Sequence, residues 1–267
     1  MSTELNYIEK NKAAWNSRTD HHVNSSFYDV DAFIKGQNSL NEIELNLLGD
    51  IKGKTILHLQ CHFGQDTISL ARMGASTTGV DLSDNAINKA IDLAKRTNAD
   101  ATFICCDIYD LPKHLDKQFD IVFTSYGTIG WFPDLDKWAA IVSMFLKPGG
   151  KFIFAEFHPV VWMYDNDFEK VTYTYAKSDP IIEVEQGTYA DKSAPITTAM
   201  ITWNHSISEV LTSLIQNGLE INSMEEFDYS PYNCFNKTIE FEPKKFRIEI
   251  FGNKIPMVYS LSATKKL

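Results

Sequence analysis

Concentrated positive charge is missing from this 267-residue sequence. It contains 25 Lys and Arg against 35 Asp and Glu, which gives a formal net charge of -10 at pH 7. The longest basic runs are pairs, such as Lys244-Lys245 and Lys265-Lys266. Nucleic acids and anionic membrane surfaces are bound by clustered Lys and Arg. We therefore expect neither nucleic acid nor a membrane as a partner.

Long apolar runs and a cysteine framework are also missing. No run is long enough to span a bilayer, and the polar, helix-like start from Met1 to Asn16 does not resemble a signal peptide. The cysteines match neither a zinc site nor a disulfide pattern, so we expect reduced thiols and a cytoplasmic location. They are Cys61, Cys105, Cys106 and Cys234.

A metal-binding pattern is not present either. The adjacent pair His21-His22 lacks the spacing of a ligand set, and so do His58 and His62. His58 and His62 stand on opposite sides of a predicted strand end, so we do not expect them to face one site. The prediction is therefore that the protein holds no metal.

What the sequence does contain is strand–helix alternation over about a hundred residues, which is typical of a parallel sheet covered by helices on both faces. In such Rossmann-like α/β sheets the ligand lies at the carboxyl ends of the strands. This places the expected site at residues 60–64, 81, 107 and 124–127. The predicted strands are 54–59, 77–81, 101–106, 119–124 and 151–156, and the predicted helices are 66–73, one beginning at Ser83, and 134–147.

After Phe157 the pattern changes to short strands separated by polar loops, which predicts a small antiparallel insertion. We interpret the chain as one domain with a helical lid (1–50), a cofactor-binding core (51–157), the insertion (158–205) and the rest of the sheet (206–267). The expected later elements are strands at 171–175, 181–186 and 198–203, a helix at 207–216, and strands at 219–227 and 256–263.

The first strand-to-helix turn, Gln60-Cys61-His62-Phe63-Gly64, holds a single glycine. A dinucleotide needs a glycine-rich turn so that the backbone can approach its pyrophosphate. S-adenosylmethionine has no phosphate and tolerates side chains there. It needs acceptors for the ribose hydroxyls and the adenine amino group, and Asp81 and Asp107 stand at the right strand ends.

These residues resemble the class I S-adenosylmethionine-dependent methyltransferases over about residues 53–156. The run Leu57-His58-Leu59-Gln60-Cys61-His62-Phe63-Gly64 looks like a recurring subgroup of uncharacterised bacterial small-molecule methyltransferases. The family usually has an acid where His58 stands and glycines where Gln60 and His62 stand. The other matching pieces are Thr78-Gly79-Val80-Asp81-Leu82-Ser83, Cys106-Asp107-Ile108, Phe119-Asp120-Ile121-Val122-Phe123 and Leu146-Lys147-Pro148-Gly149-Gly150-Lys151.

The resemblance implies a seven-stranded sheet whose last strand runs antiparallel to the rest. It also implies S-adenosylmethionine as the cofactor and S-adenosylhomocysteine as the product. The residues expected to bind the cofactor are Gln60, Cys61, His62, Gly64, Asp81, Leu82, Ser83, Asp107, Ile108 and Ser125.

The acceptor side is less defined by the sequence. Methyl transfer is an in-line displacement that depends on positioning, and it needs a general base only if the acceptor must lose a proton. The family shares no single catalytic residue, and the Asn/Asp-Pro-Pro-aromatic motif of enzymes that methylate amino groups of bases or protein glutamine is absent after Thr124. The candidates for catalysis are His158, His205 and Tyr126, and those for the substrate pocket are Tyr28, Tyr126, Trp131 and His158.

Three functions follow as alternatives. The leading one is a methyltransferase that acts on an unidentified small-molecule acceptor, as a monomer or a homodimer. The others are a non-catalytic protein that kept the fold, and an NAD-binding oxidoreductase on a similar sheet, since fold alone does not determine function.

Overall fold

The computed structural model describes residues 6–267. The predicted helix over Met1–Asn16 begins in residues 1–5, which lie outside the described part. The helices are α1 (Tyr7–Val23), α2 (Val30–Ile34), α3 (Glu42–Leu48), α4 (Gln65–Arg72), α5 (Asp84–Arg96), α6 (Leu135–Phe145) and α7 (Ile207–Gln216). Short 3-10 turns lie at Ile108–Lys113, Ile129–Trp131 and Val161–Met163.

Eleven strands are present among the described residues: β1 (Thr55–Leu59), β2 (Ser76–Asp81), β3 (Ala101–Cys105), β4 (Phe119–Ser125), β5 (Leu146–Phe157), β6 (Ile181–Gln186), β7 (Thr197–Thr202), β8 (Leu219–Phe227), β9 (Thr238–Glu242), β10 (Lys245–Ile248) and β11 (Val258–Lys265). Seven form the main sheet in the order β3-β2-β1-β4-β5-β11-β8. β11 pairs antiparallel with both of its neighbours. The seven-stranded, mostly parallel Rossmann-like sheet with an antiparallel last strand is therefore confirmed.

The central strands of the sheet are buried because they are apolar on both faces. In β1, Leu57 belongs to a cluster under α6 and α7, whereas Ile56 packs on the opposite face with Leu70 of α4. Successive strand residues point to opposite faces, which explains this division. A side chain as fully buried as that of Ile56 contributes roughly 2 kcal/mol relative to an exposed one.

The junction between α6 and β5 differs most from the sequence prediction. The helix predicted over 134–147 ends at Phe145, because Leu146 already pairs with Phe119 in the sheet. Pro148 cannot continue a helix and restricts the residue before it. β5 consequently runs from Leu146 to Phe157, which is longer than the predicted 151–156.

The insertion contains fewer strands than predicted. The hairpin β6–β7 is confirmed, but a strand at 171–175 is wrong. Val171 makes one isolated bridge to Tyr164, and 58% of its surface is exposed, so no neighbouring strand covers this segment. A second hairpin, β9–β10, lies in the segment between β8 and β11 that the periodicity did not assign.

Candidate active site

A cavity of about 1070 Å³ opens at the carboxyl ends of the parallel strands. Asp81 ends β2, Asp107 follows β3, Ser125 ends β4, and Glu156 lies near the end of β5; all four line the cavity. The cavity therefore lies at the edge of the sheet where a ligand is expected in open α/β folds. Its opposite wall comes from α1 and the β6–β7 hairpin, which together we call the cap.

The turn after β1 has the left-handed backbone of a glycine-rich loop, although only one of its residues 60–64 is glycine. Gln60 and His62 have φ of 56° and 50°, and Gly64 has φ of 84°. A residue other than glycine is destabilised by about 1–2 kcal/mol in this left-handed conformation. Backbone strain of this kind concentrates at ligand sites.

Gly64 cannot be replaced in the same way. A Cβ atom on Gly64 would lie 2.8 Å from the Phe103 ring and 2.9 Å from the Cβ of Ala90. Gly64 is also the N-cap of α4, so the start of this helix lies directly against β3 and α5. The single glycine that remains in the turn is thus the one required by packing.

Unpaired polar atoms lie in the cavity wall around this turn. Gln60 Oε1, His62 Nδ1 and Arg18 Nε are buried and have no hydrogen-bond partner in the protein. The Gln60 amide is oriented by Nε2, which donates to the Thr128 carbonyl at 2.8 Å. Buried polar atoms without partners are costly, so these three atoms fit a polar ligand.

Asp81 is held in place by the same turn. Its two carboxylate oxygens accept from the backbone N–H groups of His62 and Ser83, both at 2.8 Å. Burial raises the pKa of Asp81 to about 6, against the opposing effect of these hydrogen bonds. Each oxygen keeps a lone pair for a further donor such as a hydroxyl.

Asp107 lines the cavity together with Leu82 and Ile108. Its Oδ1 accepts from Tyr109 N–H at 2.8 Å, so it also caps the following 3-10 turn. Ser83 is the N-cap of α5, as its position before the helix predicts. Its hydroxyl caps α5 through Ala86 N–H and donates to Asn16 Oδ1 at 2.6 Å, and it does not line the cavity.

Cys61 lines the cavity, but its thiol is buried against Gly79. Burial raises the pKa of the thiol well above its usual range, so it stays protonated at neutral pH. Its N–H donates to the Val80 carbonyl, which continues the β1–β2 pairing into the turn. These contacts describe a residue that packs the turn.

Two histidines from distant parts of the chain meet beside this turn. His22 Nδ1 lies 2.9 Å from His62 Nε2. Burial lowers the pKa of His62 to about 3 and that of His22 to about 2, so both rings are neutral at pH 7. His58 also lines the cavity, against the expectation that it would not face one site with His62, and its Nδ1 bonds Thr67 Oγ1 at 2.8 Å.

Aromatic side chains form much of the rest of the cavity. The Tyr28 hydroxyl bonds the Tyr189 hydroxyl at 2.5 Å. Trp131 donates from Nε1 to the Gly127 carbonyl at 2.7 Å, and its ring lies edge-on to Trp15 of α1 with 5.4 Å between centroids. Tyr28, Tyr126 and Trp131, predicted for the substrate pocket, all line the cavity.

The two candidate histidines are engaged elsewhere. His158 Nε2 bonds Glu226 Oε1 at 2.9 Å and its Nδ1 accepts from Val160 N–H, and among the described residues it is not part of the cavity lining. His205 does line the cavity, but Nε2 bonds the Phe132 carbonyl and Nδ1 lies 3.1 Å from Glu209. Both nitrogens of His158 are therefore engaged, whereas His205 Nδ1 is buried beside Glu209 without a hydrogen-bond partner.

The cap is joined together by buried polar contacts. Asn11 in α1 pairs with both backbone groups of Ile201 in β7, at 2.8 and 2.9 Å. Arg18 donates to Glu185 Oε2 at 2.5 Å and to Thr198 Oγ1 at 3.1 Å. The N-terminal helix and the hairpin are 190 residues apart, yet they form one wall of the cavity.

Three buried acids were not predicted as site residues. Glu156 accepts from the N–H groups of Gly127, Thr128 and Ile129, so it holds the loop after β4. Asp66, in the first turn of α4, lies 3.5 Å from Ser125 Oγ. Glu44, in α3, accepts from Tyr126. Glu156 lies near a strand end and Asp66 at a helix start, so their positions could have indicated them as site residues. Glu44 lies on a short helix far from any motif.

Membrane-spanning helices and clusters of metal ligands are both absent from the described residues. Within 6–267, no helix is long and apolar enough to cross a bilayer. The same range holds no group of three or more His, Cys, Asp or Glu side chains arranged to bind a metal ion.

Comparison with known proteins matches this architecture. A family model described as a methyltransferase domain matches residues 56–150. A ubiquinone biosynthesis O-methyltransferase of Coxiella burnetii is 33% identical over 105 residues, which are 39% of this chain and 44% of that protein.

Solved structures share the fold at low identity. An S-adenosylmethionine-dependent methyltransferase from Mesorhizobium loti has a TM-score of 0.58 at 20% identity, with 87% of this chain and all of that chain covered. A geranyl diphosphate C-methyltransferase from Streptomyces coelicolor has a TM-score of 0.61 at 15% identity and covers 99% and 100%.

The motif residues, the strand order and these matches lead to one class. Residues 56–150 match a methyltransferase domain, and the main sheet has the fold of solved S-adenosylmethionine-dependent methyltransferases. The chain spans 44% of the length of the Coxiella relative, so that similarity identifies the domain and leaves the acceptor open.

Proposed function

We propose that this protein transfers a methyl group from S-adenosylmethionine to a small-molecule acceptor and releases S-adenosylhomocysteine. The observation that carries the proposal is the turn at 60–64 beside Asp81 and Asp107, all at one end of one cavity. The bound sulfonium would supply an activated methyl group. The protein would supply position and exclusion of water.

Each end of the cofactor has a candidate partner. Asp81 would accept from the ribose hydroxyls, and Asp107 and the backbone at Ile108 would lie against the adenine. The unpaired Gln60 Oε1 and His62 Nδ1 would face the methionine part. Leu82, Cys61, Gly64 and Ser125 complete the predicted contacts, while Ser83 would act indirectly by fixing the start of α5.

The size of the cavity supports a small acceptor. Pockets for drug-sized ligands measure about 300–1000 Å³. A cavity of about 1070 Å³ therefore has room for a nucleoside-sized cofactor and a second small molecule. The similar proteins named for ubiquinone biosynthesis and for geranyl diphosphate point the same way.

An NAD-binding oxidoreductase is disfavoured by one acid. In a dinucleotide site the pyrophosphate lies at the N-terminus of the helix after β1. Here Asp66 occupies the first turn of that helix and lines the cavity. A carboxylate at this position would repel the pyrophosphate.

We also propose that the protein works in the cytoplasm, as a monomer or a homodimer. All four cysteines are free thiols, and none is arranged for a disulfide. Light scattering after size exclusion distinguishes the two oligomeric states.

Isothermal titration with S-adenosylmethionine and S-adenosylhomocysteine tests the proposal. We expect the wild type to bind both, and Asp81→Ala to weaken binding about 100-fold, because two charge-assisted hydrogen bonds of about 1.5 kcal/mol each are lost. Asp92→Ala, an exposed acid on α5, is the control and should bind normally. Absence of binding by the wild type would refute the function.

Turnover separates an enzyme from a non-catalytic relative of the fold. Release of S-adenosylhomocysteine is measured against a panel of phenols, catechols and aliphatic and aromatic amines. Release that depends on one of these acceptors excludes the non-catalytic alternative. Cofactor binding without release from any of them favours it.

A further inference from the structure

A carboxylate without a cation lies directly behind the acceptor side of the cavity. Glu44 in α3 is 0% exposed and forms none of the ion pairs among the described residues. Its Oε2 accepts from the Tyr126 hydroxyl at 2.8 Å, and its Oε1 accepts from Asn41 N–H at 3.2 Å. A buried carboxylate is costly unless it is compensated, so the position of Glu44 calls for a functional account.

Tyr126 connects this carboxylate to the cavity. It follows β4 directly after Ser125, has φ of 48°, and lines the cavity, whereas Glu44 does not. Its ring also lies edge-on to Tyr232, with 5.2 Å between centroids. Because the hydroxyl donates to Glu44, its oxygen lone pairs remain available to accept a proton from a molecule in the cavity.

We propose that Tyr126 and Glu44 form a proton relay, in which Tyr126 contacts the acceptor and Glu44 is the final proton acceptor. This rests on the proposed function and extends it to the chemistry of the acceptor. The acceptor is a molecule that enters with its proton, either a phenol-type hydroxyl or a protonated amine, attached to an apolar or aromatic body.

The proton and methyl movements balance. The acceptor heteroatom takes the methyl group from the sulfonium, whose S–C bond breaks to leave a neutral thioether. The acceptor's proton goes to Tyr126 Oη while the proton of Tyr126 goes to Glu44 Oε2. Tyr126 ends neutral and Glu44 ends protonated, to be deprotonated by solvent before the next turnover.

The relay needs both residues for an electrostatic reason. Burial and the neighbouring Glu44 carboxylate raise the pKa of Tyr126 well above its usual range, so it cannot act as a tyrosinate. Burial, followed by repulsion from Asp66, raises the pKa of Glu44 to about 7. A base whose pKa lies near the working pH is suited to general base catalysis.

The groups that face Glu44 come from several elements. They are Tyr126 after β4, Asp66 in α4, Asn41 at the start of α3, and Tyr232 in the loop after β8. None of these four carries a positive charge. The walls around Tyr126 include the rings of Phe157 and Tyr232, which favour an aromatic or cationic acceptor.

The first test measures protonation directly, without turnover. Glu44 is titrated by ¹³C NMR in protein labelled at glutamate and bound to S-adenosylhomocysteine, with the signal assigned by its loss in Glu44→Gln. We expect a pKa near 7 in the wild type and a higher pKa in Tyr126→Phe, because the hydroxyl no longer stabilises the charged form. A pKa in the usual glutamate range, or one unchanged by Tyr126→Phe, overturns the relay.

The second test uses the acceptor that the release assay identifies. We expect kcat of the wild type to rise with pH to a plateau above about 7, and Glu44→Gln to lower the plateau about 100-fold and abolish the pH dependence. Tyr126→Phe should behave similarly, with cofactor affinity unchanged in both variants. Glu42→Gln, the same change at an exposed position of α3, should match the wild type.

Two outcomes oppose the relay without touching the proposed function. One is a wild-type pH profile that persists in Glu44→Gln. The other is preferred turnover of an acceptor that carries no transferable proton, such as a pyridine. Gln also suits the N3 position of the Asn41 capping box, so Glu44→Gln should fold. Failure of the cofactor to bind, by contrast, would remove the proposed function itself.

Discussion

The two walls of the cavity are built in different ways. The sheet wall is made of strand ends and of the turn at 60–64, whose backbone is fixed by parallel pairing and by buried apolar packing. The cap wall is made of α1 and the β6–β7 hairpin, which meet through Asn11, Arg18 and aromatic side chains. The sheet wall depends on backbone pairing between strands, whereas the cap wall depends on side-chain contacts between distant segments.

Under the proposed function, the two walls have different tasks. The sheet wall holds the residues proposed for the cofactor, which is common to the family. The cap and the loop after β4 carry aromatic rings that line the part of the cavity proposed for the acceptor. Rigid sheet ends give constant positions, whereas surface segments held by a few polar contacts can differ between proteins with different acceptors. The following substitutions and conditions distinguish the two walls by experiment.

The largest effect is expected for Gly64→Ala in the sheet wall. Left-handed strain and collision with Phe103 and Ala90 should together lower the free energy of unfolding by about 3 kcal/mol. Gly53→Ala is the control, since it has φ of 75° but open space around its Cβ position, and should cost about 1 kcal/mol. Urea denaturation measures both, and equal losses would show that crowding at Gly64 is unimportant.

A smaller and local effect is expected for Asn11→Ala in the cap. The change leaves both backbone groups of Ile201 unpaired in a buried place, at a cost of about 2 kcal/mol. We expect faster hydrogen exchange in α1 and β7 and unchanged exchange in β1 and β4. Asn24→Ala, at the exposed end of α1, should leave exchange in β7 unchanged. Equal acceleration in β4 would mean that cap and sheet unfold as one unit.

Cofactor binding should depend on pH through Asp81. Its pKa is raised to about 6, and only the ionised carboxylate can accept from two ribose hydroxyls. Binding of S-adenosylmethionine is therefore fully present above this pKa and weakens as pH falls through it, about tenfold or 1.4 kcal/mol per unit. Titration calorimetry between about pH 4.5 and about pH 8 checks this, because that range extends more than roughly one pH unit to each side of the Asp81 pKa. The same slope in Asp81→Asn would assign the effect to another group.

The smallest effect is expected for a surface ion pair between α1 of the cap and α5. Lys89 in α5 and Asp20 in α1 form an ion pair at 2.7 Å, with 40% and 59% of the side chains exposed. Exposed pairs of this kind contribute little, so Asp20→Asn should change the free energy of unfolding by less than about 0.5 kcal/mol. A loss as large as that of Asn11→Ala would show that surface charge, and not the buried amide, attaches the cap.

The sequence alone determined the sheet wall. Apolar strand patterns, one required glycine and acids at strand ends are local signals, and they located Gly64, Asp81 and Asp107 at the cavity. The same signals could not show that Ser83 turns to Asn16, or that Gln60 and His62 reproduce a glycine-rich backbone, because both depend on neighbours that are distant in sequence.

The placement of the cap and of the buried acids at the cavity depends on the tertiary fold. No periodicity connects Asn11 with Ile201, His22 with His62, or Glu44 with Tyr126, since these pairs are 190, 40 and 82 positions apart. Their partners become neighbours only when the sheet has brought the strand ends together. The residues proposed to bind the cofactor can therefore be predicted from local sequence patterns. The side of the cavity proposed for the acceptor depends on long-range contacts between side chains.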